Sequence, residues 1–220
     1  MLTLVATPIG RTDEITLRSL ELFKNAQVIV CESTKEASKL LKAHQIKALR
    51  YEVLDEHSTA EDVNELLQLC ADQNVVLVSD CGTPSFCDPG FQLVKACRQK
   101  GYEVRSSLGA SSLMGLLSLS SERLNQFYFR GFIPAENVAR EIEWQQLKKF
   151  KDAFVLMDTP YRLKKTLNEC ALHIPKRKML LVTDLSQDTE TQLEGSCTQV
   201  AGRNQSEKAE FMILIYPEST

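Results

Sequence analysis

Residues 75–84 read VVLVSDCGTP: four consecutive apolar residues followed by a polar tip, a glycine and a proline. An unbroken apolar run rich in valine is typical of a strand that is buried on both faces of a parallel sheet. Such a strand delivers Asp80 to its carboxyl end, where Gly82 permits close approach of a ligand and Pro84 stiffens the loop. The stretch therefore predicts a ligand-binding loop at the end of a buried strand.

Similar short runs occur on both sides of this stretch and alternate with helical patterns. Strands are predicted at residues 2–6, 28–31, 49–53, 75–79 and 102–106. Between them, apolar residues recur every three to four positions, as in Val63, Leu66, Leu67 and Cys70, which is the period of a helix with one buried face. This alternation predicts an α/β fold with a mainly parallel sheet and helices on both of its faces.

A second series of strands begins after residue 125. The apolar runs predict strands at residues 127–129, 154–157, 179–182 and 211–216, with helices at 139–149 and 163–172. The intervening segment 118–125 is a plausible domain boundary. The sequence therefore predicts two α/β domains, an N-terminal one over residues 1–118 and a smaller C-terminal one over residues 119–220.

Two further loops follow predicted strands. Thr7-Pro8-Ile9-Gly10 follows the first strand, and a loop containing Gly109 and Ser111 follows the fifth. Because open α/β sheets bind ligands at the carboxyl ends of their strands, we expect the three loops to surround one crevice. The residues predicted to line it are Thr7, Pro8, Gly10, Ser79, Asp80, Gly82, Thr83, Pro84, Gly109 and Ser111. No G-x-G-x-x-G or phosphate-loop motif is present, so a dinucleotide or nucleoside triphosphate site has no motif support.

Composition and charge narrow the class of protein. The net charge of −3 argues against a chain coated in basic charge, but residues 130–178 hold eleven Lys and Arg against six Asp and Glu. This excess predicts a basic face on a mildly acidic body, although solvated helix faces explain it equally well.

Seven cysteines without a C-x-x-C pair indicate reduced, mostly buried thiols and no metal site. With no signal peptide and no apolar run of about 20 residues, we expect a cytoplasmic protein without membrane contact.

Several segments together resemble a known family. They are residues 7–10, Glu14-Ile15-Thr16-Leu17-Arg18, residues 79–84 and Asp88-Pro89-Gly90, followed by 31–35, 56–57, 131–134, 160–163 and 209–211. Their order and spacing resemble the bacterial small-subunit ribosomal RNA cytidine 2′-O-methyltransferases, a branch of the tetrapyrrole methylase superfamily. The resemblance implies two α/β domains with S-adenosylmethionine in the cleft between them, S-adenosylhomocysteine as product, and a homodimer without metal. It implies ribosomal RNA or the small ribosomal subunit as partner.

The resemblance also implies roles for individual residues. Glu32, His57 and Asp158 lie in matching segments and are candidate catalytic residues, because a ribose hydroxyl needs help to lose its proton. Ala209 joins the predicted cofactor-binding set. Four arginines are predicted to contact RNA, since a guanidinium offers forked donors to phosphate oxygens; they are Arg18, Arg130, Arg140 and Arg162.

Some family positions are altered, which leaves alternatives open. Ser33 and Lys35 stand where the family has Asp and Arg, Met157-Asp158 replaces Tyr-Glu, and the prolines of the loop around Gly109 are missing. One alternative is a methyltransferase of the same fold that acts on another RNA or on a small molecule. The other is a module that binds S-adenosylmethionine without catalysis.

Overall fold

The chain divides into two compact units, the first spanning Met1–Ser111 and the second beginning at Ser112. The structure is a computed structural model and describes residues 1–218. The predicted domain boundary at Ser118 falls seven residues beyond this division, at the end of the helix that opens the second unit. Within residues 1–218, no helix is both long enough and apolar enough to cross a membrane.

The first unit is built on a five-stranded parallel sheet. Its strands are β1 (Leu2–Val5), β2 (Val28–Cys31), β3 (Tyr51–Val53), β4 (Val75–Leu77) and β5 (Val104–Ser107). Their order across the sheet is β3-β2-β4-β1-β5, and every neighbouring pair is parallel. The prediction of a parallel sheet is confirmed. Strand β4 lies at its centre between β2 and β1, and all residues of these three strands are buried, as expected for strands covered on both faces.

Helices cover both faces of this sheet. They are α1 (Leu17–Asn25), α2 (Thr34–Ala43), α3 (Ala60–Asp72) and α4 (Gly90–Gln99). Residues of α1 and α2 pack on Val5, Ile29 and Val76, whereas residues of α3 and α4 pack on the opposite side chains, such as Val30 and Leu77. Because successive side chains of a strand point to opposite faces of the sheet, the same strands contribute to two hydrophobic cores, one on each face.

Hydroxyl side chains fix the starts of three of these helices. Thr16, Ser33 and Thr59 each accept a hydrogen bond from the backbone amide three residues on, and Thr59 forms a reciprocal capping box with Asp62. Each cap satisfies an amide that the helix itself leaves unpaired. The caps therefore set where the chain leaves the loop after each strand, which is where the predicted site lies.

The second unit holds a mixed sheet. Its elements are α5 (Ser112–Ser118), β6 (Tyr128–Phe132), α6 (Asn137–Leu147), β7 (Phe154–Asp158), α7 (Leu163–His173), β8 (Lys178–Thr183), β9 (Thr191–Ser196), α8 (Cys197–Arg203) and β10 (Phe211–Ile215). The order is β6-β7-β10-β8-β9; β6 pairs parallel with β7, and the other three pairings are antiparallel. The sequence did not predict β9 or α8.

This sheet also separates two cores. Trp144 of α6, Leu167 of α7 and Val200 of α8 pack on one face. Leu116 of α5 packs on the other with Leu214 of β10, so α5 belongs to the second unit. The edge strand β6 carries a β-bulge at Arg130, where the register with β7 shifts and the next residue, a glycine, has φ +68.

Candidate active site

The loops that follow β1, β4 and β5 are hydrogen-bonded to one another. The Thr7 amide donates to the Gly82 carbonyl at 2.9 Å, and the Gly82 amide donates to the Thr7 carbonyl at 3.0 Å. The Thr83 hydroxyl donates to the carbonyl of Ala110 at 2.9 Å. The structure therefore brings together the three loops that the sequence predicts to share a crevice, all within the first unit.

Thr7 and Ser79, two of the predicted residues, stabilise the loop after β4 through hydrogen bonds of their side chains. The buried Thr7 hydroxyl donates to the Ser79 carbonyl at 3.2 Å, and the Ser79 hydroxyl donates to the Cys81 carbonyl at 3.1 Å. Asp80 instead lies exposed at the tip, where its carboxylate accepts the amide of Ser33 at 3.2 Å. Thr7 and Ser79 thus shape the loop, while Asp80 links it to the start of α2 and stays open to solvent.

Glycines are required here for two different reasons. Gly82 has φ +78, a left-handed conformation that residues with a side chain rarely adopt. At Gly109, a Cβ atom would lie 2.8 Å from the Cβ of Ala6, which is closer than packed carbon atoms approach. The remaining predicted residues of the three loops differ in exposure: Gly10 is exposed, Pro8 and Ser111 are half-buried, and Pro84 is buried.

Glu32 and His57 line one cavity of about 730 Å³ in the first unit, together with Asp55 and Asp88. Burial raises the pKa of the Glu32 carboxyl, and the negative charges of Asp88 and Asp80 raise it further. Glu32 therefore binds a proton more readily than an exposed glutamate does.

His57 lies at the rim of this cavity. Its imidazole is 83% exposed, and its Nε2 is 3.6 Å from the Glu56 carboxylate. The backbone amide of His57 donates to Asp55 at 2.9 Å, which holds the loop after β3 in place. The structure thus brings two of the three predicted catalytic residues to a single cavity.

The third, Asp158, has a different setting in the second unit. Its side chain is fully buried, and its two carboxylate oxygens accept from Arg140 at 3.0 Å and from Arg162 at 2.9 Å. Its Oδ1 also accepts the amide of Thr159 at 2.8 Å. Both carboxylate oxygens of Asp158 are thus occupied by partners within the second unit, and its catalytic role stays a prediction.

The prediction that Arg140 contacts RNA is wrong. Its side chain is only 2% exposed. Its guanidinium donates to Asp158, to both oxygens of Glu169 at 2.8–2.9 Å, to the Thr166 hydroxyl at 2.8 Å, and to the carbonyl of Pro134 at 3.1 Å. These partners occupy every nitrogen of the guanidinium, so Arg140 joins α6, β7 and α7 within the unit and offers nothing to a phosphate.

The other predicted residues range from exposed to buried. Arg18 is 65% exposed and forms an exposed ion pair with Glu21, and Arg162 is 33% exposed beside Asp158. Arg130 bonds Glu143 and the carbonyl of Phe132, and it is mostly buried. Ala209 is buried in the core of the second unit, two residues before β10.

Sequence reasoning did not assign Asp55, Phe86 or Phe91 to the Glu32 cavity. Asp55 follows β3 in a segment where only the neighbouring Glu-His pair drew notice. Phe86 and Phe91 flank the D-P-G turn, and both have large exposed rings that line the cavity. Two phenylalanines five residues apart, on either side of a polar D-P-G turn, are the sequence signal that could have found them.

Comparisons with known proteins identify a family. The family model described as Tetrapyrrole (Corrin/Porphyrin) Methylases matches residues 1–201. Ribosomal RNA small subunit methyltransferase I of Neisseria meningitidis serogroup B is 33% identical over 98% of this chain and 76% of its own length. The protein of the same name from Rickettsia prowazekii is 32% identical over 97% of this chain and 77% of its own.

Solved structures share the fold. Uroporphyrin-III C-methyl transferase from Thermus thermophilus, solved in complex with S-adenyl homocysteine, superimposes with a TM-score of 0.65 at 17% identity. The match covers 98% of this chain and 96% of that one. At this identity the likeness establishes the two α/β domains of the fold, as the sequence predicted.

Proposed function

Since the chain belongs to the family of tetrapyrrole (corrin/porphyrin) methylases, we propose that it methylates the 2′-hydroxyl of a cytidine ribose in small-subunit ribosomal RNA, using S-adenosylmethionine. The observation that carries this proposal is identity of about a third along nearly the whole chain to proteins named for methylation of that RNA. A match that extends over nearly the whole chain supports a shared acceptor better than any single motif does.

The residues at the carboxyl edge of the first sheet fit S-adenosylmethionine. Gly10 and Gly109 are exposed there, so main-chain amides and carbonyls stand uncovered by side chains. The exposed Asp80 supplies a carboxylate for hydroxyl or amino groups of a ligand, and Gly82 adopts the left-handed conformation of this loop. Small residues, open backbone and one acid are what an adenosyl group with a charged amino-acid tail requires.

S-adenosylmethionine supplies an activated methyl group on sulfur. The protein has to hold the ribose oxygen in line with that methyl group and to remove the proton of the hydroxyl. We assign proton removal to Glu32, because its raised pKa makes it a stronger base than an ordinary carboxylate and it faces an open cavity. His57, at the rim of the same cavity, is assigned to orienting the nucleotide. Asp158 keeps a structural role through its two arginines.

The test is transfer of label to ribosomal subunits. Purified protein is incubated with radiolabelled S-adenosylmethionine and small ribosomal subunits from cells that lack the gene, and the label is mapped to a nucleotide. Label on one cytidine ribose supports the proposal. Label on tetrapyrrole precursors but not on RNA would assign another acceptor. Binding of S-adenosylmethionine without transfer to either would indicate a module without catalysis.

The proposal includes a homodimer that works in the cytoplasm, where ribosomal RNA is found. Light scattering of the purified chain tests the first part. A mass of twice 24.8 kDa is expected. A monomeric mass at micromolar protein concentration would contradict the dimer and leave the proposed methyl transfer unaffected.

A further inference from the structure

A basic cavity of about 440 Å³ lies at one end of the second unit. It is lined by Lys148, which follows α6, by residues 173–178 between α7 and β8, and by Pro217 and Glu218 after β10. The segment 176–178 reads Lys-Arg-Lys. None of the arginines predicted to contact RNA lines this cavity, so it is a separate feature of the chain.

Part of the cavity is rigid. Arg177 donates to the carbonyls of Phe150 and Asp152, at 2.6 and 2.9 Å, and of Tyr216 at 3.0 Å. The Lys178 ammonium contacts Glu122 at 2.9 Å and Glu194 at 2.6 Å. These two side chains hold the start of β8 against its neighbours.

Lys148 and Lys176 line the cavity, and Lys149 is next to Lys148 in the chain. All three lysines are exposed, and none has a carboxylate partner among residues 1–218. The one acid that lines the cavity, Glu218, accepts from Lys151 at 2.9 Å. The cavity therefore presents positive charge that the protein itself does not neutralise.

The ends of two helices account for only part of this charge. Helices α6 and α7 both end here, and the C-terminus of a helix carries roughly half a negative charge, so the two ends offset about one positive charge. The three lysines and Arg177 carry four. An excess remains for a bound anion.

We propose that this basic cavity binds phosphate groups of the RNA backbone, an inference that rests on the proposed function. Lysine ammonium groups on flexible stems attract phosphates as point charges without demanding one geometry, which suits an extended polyanion. The cavity is consistent with the excess of basic residues over 130–178, and it gives that excess a definite location.

The experiment compares two triple variants of the full chain. Lys148→Gln/Lys149→Gln/Lys176→Gln removes the three unpartnered charges. The control, Lys24→Gln/Lys95→Gln/Lys100→Gln, removes three exposed lysines from the first unit. Binding to deproteinised small-subunit ribosomal RNA is measured by filter binding at several salt concentrations, with S-adenosylmethionine affinity from calorimetry and the midpoint of thermal unfolding alongside.

We expect the cavity variant to bind RNA about tenfold more weakly and its log–log salt slope to fall by about two to three, since each lost phosphate contact removes a little under one unit. The control variant keeps the RNA affinity of the wild type, and both keep S-adenosylmethionine affinity. A single Lys176→Gln variant, with about a third of the effect, covers the case in which the triple variant folds poorly.

The outcomes separate this inference from the proposed function. If the wild type methylates RNA but the cavity variant keeps its RNA affinity and salt slope, the inference fails and the function stands. If only the unfolding midpoint falls, the lysines serve the helix ends alone and the inference fails. If the wild type neither binds nor methylates the RNA, both are overturned.

Discussion

Glu32 is the residue on which the proposed chemistry depends most. Burial raises the pKa of its carboxyl, and the negative charges of Asp88, Asp80 and Asp55 raise it further. A half-buried carboxylate beside other carboxylates is costly to ionise, and acids with a shifted pKa that line a cavity are typical of catalytic sites.

Glu32→Gln removes the base and keeps the shape of the side chain. We expect methyl transfer to fall by about 10²- to 10⁴-fold, the usual contribution of a general base, with S-adenosylmethionine affinity unchanged. Glu65→Gln, an exposed acid on α3, is the control and should act like the wild type. Single-turnover rates measure both variants.

If Glu32 is the base, the rate of methyl transfer depends on pH. The base must be ionised to act, so the rate falls as pH drops through the pKa of Glu32. Because that pKa is raised, the fall occurs at higher pH than for an ordinary glutamate. The acid limb of the single-turnover profile should be present in the wild type and missing from the residual activity of Glu32→Gln; an identical limb in both would exclude Glu32 as its source.

In contrast to Glu32, Arg140 and Asp158 are charged residues that stabilise the fold. They form a buried pair whose remaining donors and acceptors are also satisfied. Removing one member leaves an unpaired charge inside the protein. We expect Arg140→Met to lower the free energy of unfolding by about 3–5 kcal/mol. Arg18→Met, which breaks an exposed pair with Glu21, should cost less than about 1 kcal/mol. Urea denaturation measures both, and equal effects would contradict a structural role for Arg140.

At the scale of elements, the turn after β5 depends on close approach to the turn after β1. Gly109→Ala would place a Cβ 2.8 Å from that of Ala6 and push the two loops apart. We expect S-adenosylmethionine to bind at least about tenfold more weakly, a cost of roughly 1.4 kcal/mol. Gly202→Ala is the matched control, because nothing lies within 4 Å of its Cβ position. Calorimetry should find the S-adenosylmethionine affinity of Gly202→Ala equal to that of the wild type.

The sequence predicts the elements whose side chains face a core and misses those that do not. Strands β1, β2 and β4 are apolar on both faces and were found within one or two residues. Strand β9 reads Thr-Gln-Leu-Glu-Gly-Ser, and its polar residues are tolerated because it lies at an edge of the second sheet. Nothing local distinguishes it from a loop, since its pairing with β8 is decided by the whole sheet.

The candidate site was predictable to the same extent. Its three loops were found because the carboxyl ends of parallel strands share an edge, which is a property of the topology. The burial and ion pairing of Arg140 could not be predicted, because its partners Asp158 and Glu169 lie 18 and 29 residues away along the chain. Two charges that neutralise each other in a core look, in sequence, like two charges free to bind something else.

At the scale of the molecule, the distribution of thiols tests how both units pack. Five of the seven cysteines are buried, and Cys81 and Cys87 are exposed. We expect two thiols to react with Ellman's reagent in the native protein and seven in guanidinium chloride. Cys87 should react more slowly than a free thiol, because burial and the negative charge of Asp88 raise its pKa. Cys87→Ser should leave one reactive thiol; a third native thiol would contradict the packing of the cores.

The bulge at Arg130 has a consequence for how these molecules coexist at high concentration. Strand β6 is an edge of the second sheet, and a regular edge is a template on which a strand of another molecule can be added. The extra residue and the left-handed Gly131 break the even spacing of amides and carbonyls along that edge. The bulge therefore makes this edge a poor template for the strand-by-strand addition from which fibrils grow.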